Sequence, residues 1–148
     1  MNHYLIDTNL LLRSIQVTHP MHPEASRALG TLLQGDDRVC LCSQNFIEFW
    51  NVCTRPIAKN GLGMSVEQAD AELTRLEGIF SVLPDLPTIY PQWRQLVKRY
   101  QVRGANVHDA RLVAVMLASN LTYILTYNTA DFRRFSEITV VHPSEVIP

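Results

Sequence analysis

His3-Tyr4-Leu5-Ile6-Asp7-Thr8-Asn9-Leu10-Leu11-Leu12 is the stretch on which the fold turns. Its first four residues read as a short strand, and an apolar segment of helical character resumes after Asn9. Between them stands a carboxylate at the end of a buried strand. Taking a charge out of water is expensive unless a cation or a set of hydrogen-bond donors compensates. In open α/β sheets, ligands bind beyond the carboxyl ends of the strands. Asp7 is therefore the first candidate functional residue, and its meaning depends on which other acids join it.

The totals narrow the field. A chain of 148 residues with 47% hydrophobic and 18% charged residues is expected to fold as one globular domain, residues 1–148. No apolar run approaches the ~20 residues of a membrane span, and the N-terminal stretch lacks the basic and apolar regions of a secretory leader. The expectation is a cytoplasmic protein with no membrane association. A net charge of −1 argues against nucleic-acid binding through bulk charge but leaves room for a local basic face. Cys40, Cys42 and Cys53 lack zinc-type spacing. Cys40 and Cys42 stand two apart in an apolar run, which packs them on one face of a strand as small hydrophobes.

Periodicity organises the rest. A short helix is expected from Asn9 to Ile15, and Ala25, Ala28, Leu29, Leu32 and Leu33 mark one face of a second. Val39-Cys40-Leu41-Cys42 is a strand. Ser43 then suits the cap of a helix running from Gln44 to Thr54, with Phe46, Ile47, Phe49, Trp50 and Cys53 as its apolar face and Glu48 on the flank. Ser65 and Gln68 form a capping box ahead of Val66, Ala69, Leu73, Leu76 and Phe80. Val82-Leu83 reads as a very short strand. Thr88 precedes a helix with Ile89, Trp93, Leu96, Val97 and Tyr100 on one side. Asn106 suits the cap of a helix, Val107 to Ser119, that is apolar nearly all round and hence central. Tyr123-Ile124-Leu125-Thr126 is a strand, Asn128 to Phe132 a loop entering a short helix, and Ile138 to Val141 a last strand before an irregular tail. Strands alternating with helices predict an α/β fold in three layers: a mostly parallel sheet of about five strands flanked by helices. Right-handed crossovers bring the carboxyl ends of those strands to one rim.

Of fourteen acidic residues, ten fall on polar helix faces, in turns or in the tail. The four that remain are Asp7, Glu48, Asp109 and Asp131. If the first, second and fourth strands are neighbours, these four meet above one rim, where they repel each other unless a hard divalent cation intervenes. Each also has a plainer reading. Asp7 can hydrogen-bond the turn after its strand. Asp109 can answer the helix dipole. Glu48 can be a solvated flank residue, and Asp131 a helix cap. Thr8, Asn9, Thr126 and Asn128 either orient the carboxylates from outside or are turn residues.

Asp7-Thr8-Asn9, the mid-chain Glu48, His108-Asp109-Ala110-Arg111 and Leu125-Thr126-Tyr127-Asn128-Thr129-Ala130-Asp131-Phe132 together resemble the PIN domain, in particular the VapC-type ribonuclease toxins. The resemblance runs from residue 3 to about 141. It implies a PIN-like α/β fold and an acidic site holding Mg²⁺ or Mn²⁺, with Asp7, Glu48, Asp109 and Asp131 as the catalytic and metal-binding quartet. It also implies a homodimer and a small antitoxin protein as partner. The expected function is a metal-dependent endoribonuclease, the toxin of a toxin–antitoxin pair. It would hydrolyse RNA phosphodiester bonds with a metal-activated water and leave 5′-phosphate and 3′-hydroxyl ends. The alternative is a PIN-like RNA-binding or interaction module without nuclease activity. A phosphotransferase with an aspartate nucleophile usually wants a second Asp two residues on, where this chain has Asn9. Arg94, Lys98, Arg99 and Arg103, interleaved with Trp93 and Tyr100, are either a phosphate-binding edge or an ordinary helix face. Arg55, Lys59, Arg133 and Arg134 are further cations near the motifs.

Overall fold

The computed structural model describes residues 1–148. In chain order the elements are β1 (His3–Ile6), α1 (Thr8–Ile15), α2 (His22–Gln34), β2 (Arg38–Leu41), α3 (Ser43–Thr54), a 3-10 turn (Ile57–Lys59), α4 (Val66–Ile79), β3 (Ser81–Val82), α5 (Ile89–Arg99), α6 (Asn106–Ala118), β4 (Tyr123–Leu125), α7 (Thr129–Phe132), β5 (Thr139–Val141) and a 3-10 turn (Pro143–Glu145). The expected parallel sheet is present, and every pairing in it is parallel. The strand order is β3-β2-β1-β4-β5. β1 is thus central, with Leu5 opposite both Cys40 and Ile124.

The alternation of side chains along the strands divides the core in two. Tyr4 and Ile6, with Val39, Leu41 and Leu125, pack against α1, α2, α3 and α4. Leu5 and Ile124, with Cys40 and Cys42, pack against α5, α6 and α7. The two cysteines share a face, as their spacing predicts. The helix read as apolar all round is α6: Ala110 and the run Leu112 to Met116 are all buried. It lies between the sheet and α5, so few of its sides meet water. The layers are therefore helices, sheet, helices. No helix is long and apolar enough to cross a membrane.

Several local expectations need correction. The cap of α3 is Cys42, not Ser43. Asn45 Oδ1 accepts from the Cys42 amide at 2.9 Å, so the N3 side chain satisfies the backbone donor. The Ser43 hydroxyl instead donates to Asp85 Oδ1 at 2.6 Å. Asn106 lies inside α6, whose cap position is Ala105; Gly104, at φ +60, makes the turn just before it. Ile47, expected on the apolar face of α3, is 69% exposed, and Leu33 also faces water. Each of those helices buries a narrower stripe than its composition implies. The tail is not wholly irregular, since its 3-10 turn leads Val146 back into the first core.

Candidate active site

β1 delivers Asp7 to the rim between β2 and β4. The Asp7 amide continues the ladder by donating to Leu125 O at 2.9 Å. Its side chain is only 8% exposed, and both oxygens have donors. Thr8 N donates to Oδ1 at 2.8 Å, and the Thr126 hydroxyl donates to Oδ2 at 2.7 Å. The first of these bonds caps α1, so the plain reading of Asp7 accounts for one of its oxygens. The second ties it across the sheet to the end of β4. Burial nonetheless outweighs both donors and, helped by Glu48 and Asp131, raises the Asp7 carboxyl from 3.8 to about 6.

α3 delivers Glu48 to the same place. The Thr8 hydroxyl donates to Glu48 Oε1 at 2.8 Å, and Gln44 Nε2 reaches Oε2 at 3.3 Å. Behind them stands Asn45, fully buried. Its Nδ2 donates to Ile6 O at 2.9 Å and lies 3.2 Å from the Thr8 hydroxyl oxygen. Asn45 therefore bolts the end of β1 to the start of α3. Gln44 extends the chain of contacts: it donates to His108 O at 2.8 Å and accepts from Arg111 Nη1 at 3.1 Å. Neither Asn45 nor Gln44 is among the residues singled out from the sequence. The signal that could have found Asn45 is its place three residues after the true cap, where a side chain reaches back to the cap amide.

α6 and α7 contribute differently. Asp109, in the first turn of α6, has no hydrogen-bond donor, and neither does the side chain of Asp131 in α7. Burial, then Asp7, Asp131 and Glu48, raise the Asp109 carboxyl to about 7, against a weaker opposing pull from Arg134. A helix dipole alone would move it the other way. All four sequence-selected acids thus lie within electrostatic reach of one another. No three His, Cys, Asp or Glu side chains are close enough to enclose an ion by themselves.

Of the supporting residues, Thr8 and Thr126 hold carboxylates directly. Asn128 acts through its backbone: its amide donates to the Thr126 hydroxyl oxygen at 2.9 Å, and its side chain caps nothing. Asn9 Oδ1 is buried with no donor in reach. A buried oxygen without a donor, two residues beyond Asp7, and the carboxylates of Asp109 and Asp131, which have no donors, are the kind of groups a hard cation takes. His108 is exposed and offers its carbonyl, not its imidazole, to the network. On α5, Arg99 pairs with Glu137 at 3.2 Å, and the Tyr100 hydroxyl also donates to Glu137. Two members of the expected basic edge are therefore engaged away from the acids, while Arg134 acts on Asp109 and Arg111 donates to Gln44 beside Glu48.

A family model of the PIN domain matches residues 4–138. No curated protein sequence matches the chain. Among solved structures, VapBC2 from Rickettsia felis, bound to a DNA fragment from its promoter, superposes with a TM-score of 0.70 at 14% identity, covering 95% of this chain and 98% of that one. VapBC-1 from nontypeable Haemophilus influenzae gives 0.69 at 16% identity, with 97% and 99% covered. Mycobacterium tuberculosis VapC20, a toxin that cleaves the sarcin-ricin loop, gives 0.68 at 16% identity, with 89% and 95% covered.

Proposed function

The chain belongs to the PIN domain family, and from that premise we propose that it is a divalent-metal-dependent endoribonuclease, the toxin of a toxin–antitoxin pair. The observation that carries the reading is the convergence of Asp7, Glu48, Asp109 and Asp131 from four separate elements. Two of their carboxyls are pushed to about 6 and about 7, first by burial and then by the neighbouring acids. In this reading residues 1–148 form a single nuclease domain acting in the cytoplasm, with RNA as substrate. Asp7 and Asp109 are direct ligands of Mg²⁺ or Mn²⁺, Glu48 holds a water or a second ion, and Asp131 completes the site.

A divalent ion held by Asp7 and Asp109 would activate water as the nucleophile near neutral pH and offset charge on the phosphate. The chain's own residues do the rest. Thr126 and Thr8 fix the Asp7 carboxylate, each holding one of its oxygens. Gln44 and Thr8 fix Glu48. Arg134, beside Asp109, offers a cation to a phosphate oxygen. Attack by water rather than the ribose 2′-oxygen leaves 5′-phosphate and 3′-hydroxyl ends.

Partner binding has its own support. Phe46, Ile47, Trp50 and Leu73 line a wholly apolar hollow of about 240 Å³ between α3 and α4. Exposed apolar surface of this kind fits a protein partner; an antitoxin and a second copy of the chain are both part of the proposal. The test is a cleavage assay of the purified chain on RNA with Mg²⁺, Mn²⁺ and EDTA. Cleavage that EDTA stops and that yields 5′-phosphate ends supports the reading. A folded chain that binds RNA but cleaves none with either ion is a binding module instead.

A further inference from the structure

Beside the acidic cluster lies a second feature that the proposed chemistry does not use. The segment between β3 and α5, the start of α5 and the start of α6 enclose a cavity of about 550 Å³. That is within the ~300–1,000 Å³ of small-molecule sites. Its aromatic wall is Tyr90 and Trp93, whose rings stack with centroids 6.0 Å apart and planes 25° apart. Trp93 is locked in place, since its Nε1–H donates to Val107 O at 2.8 Å. Tyr90 is 64% exposed and makes no hydrogen bond that would explain its position. Polar groups stand at the edges: the Asp85 carboxylate, the exposed His108 and the Arg111 guanidinium. Arg111 has no carboxylate partner. Gln44 links the cavity to the acids, contacting the lining residues Arg111 and His108 on one side and Glu48 on the other.

We propose that this cavity is a nucleobase subsite, which takes the unpaired base of a nucleotide next to the scissile phosphate. The inference rests on the ribonuclease reading above. Stacked aromatic rings hold the face of any base, and single-stranded RNA is recognised largely in this way. Arg111, between the cavity and the acids, meets the connecting phosphate. Asp85 gives the subsite a preference. Its Oδ1 is engaged by Ser43, which leaves Oδ2 to accept from an amino group on the base edge. Cytosine supplies such a group. Uracil sets carbonyl oxygens on both sides of its one N–H, and a carboxylate repels them. An apolar protein side chain fits less well, because it would bury Asp85 Oδ2, the His108 imidazole and the remaining N–H groups of Arg111 without partners.

The experiment uses the full chain with Trp50→Phe, so that Trp93 is the only tryptophan. In EDTA, a cytidine pentamer should quench Trp93 fluorescence and a uridine pentamer should do so more weakly. Tyr90→Ala should weaken cytidine binding about tenfold, the scale of one lost base stack. In cleavage of a randomised RNA pool, the same substitution should raise KM and leave kcat near its original value. Asp85→Asn should remove the discrimination between C and U beside the cut. Quenching with no cleavage under any metal supports the subsite and overturns the nuclease reading. Cleavage with no quenching, or with Tyr90→Ala unchanged in KM, overturns the subsite. Conversion of a dimer to a monomer by Tyr90→Ala, with RNA binding unchanged, also overturns it and assigns the cavity to an interface between copies.

Discussion

Asp7 and Glu48 sit in a lattice of donors, whereas Asp109 and Asp131 have none. On the first side, Thr8, Thr126, Gln44 and Asn45 link the end of β1, the end of β4 and the start of α3 through contacts of 2.7 to 3.3 Å. On the second, the acids are placed only by the helices that carry them. Folding therefore pre-organises half of the site and leaves the other half to whatever cation or substrate arrives. Asp109, the less buried of the two shifted acids, is shifted further than Asp7. The lesson is that donors, as much as burial, decide how far a carboxylate is held in its charged form.

If the two halves serve one site, removing an acid from either should have the same large effect. Asp7→Asn and Asp109→Asn are each expected to reduce metal-dependent RNA cleavage to background, with the circular dichroism spectrum unchanged. Wild-type turnover in either variant would show that the acid in question is not part of the machinery. Stability should separate the halves. Asn45→Ala strips the Ile6 carbonyl and the Cys42 amide of their buried partner and is expected to cost about 2–4 kcal/mol in urea unfolding. Asp109→Asn breaks no hydrogen bond and relieves repulsion, so the ion-free protein should become more stable.

A third difference lies in pH. For both shifted acids the folded value exceeds the ordinary 3.8 of an unfolded chain. The folded chain then holds more protons between about 4 and 7, so stability falls as pH rises through that window. Thermal melts in EDTA should show the ion-free protein losing stability from pH 4.5 to 7.5, and Mg²⁺ should restore it at the upper end. A melt that does not change with pH or Mg²⁺ would mean that the acids are compensated already. The smallest effect belongs to Arg134→Ala, on the exposed surface. It should raise the Asp109 titration midpoint, followed by NMR, with a stability change within about 0.5 kcal/mol.

The acid quartet and the parallel sheet were legible in the sequence because both are written in residue type at the ends of apolar runs. Asp7 and Asp109 stand out since a charge beside Ile6 or ahead of Ala110 has no packing rationale. Asn45 and Gln44 are not legible, because their partners Ile6 O, Thr8, His108 O and Arg111 come close only through the pairing of β1 with β2 and the approach of the start of α6 to the start of α3 at the rim. The sequence pattern places the cap of α3 one residue late, at Ser43, for a related reason. Cysteine is a poor capping side chain, but here the N3 asparagine satisfies the cap amide. Composition places Ile47 in the core, yet it is exposed, because the only apolar side chains that α3 buries fully are Phe49 and Cys53.

The bond between the Thr126 hydroxyl and Asp7 joins residues 119 positions apart. On a ribosome, β1 emerges early and waits for β4, its neighbour in the finished sheet. A nascent chain that has reached α5 carries Asp7 and Glu48 but neither Asp109 nor Asp131, and it lacks the strand that closes the rim. The order of elements thus acts as a timer. On the proposed reading, the acid quartet is incomplete, and the nuclease inert, until α6, β4 and α7 have left the ribosome.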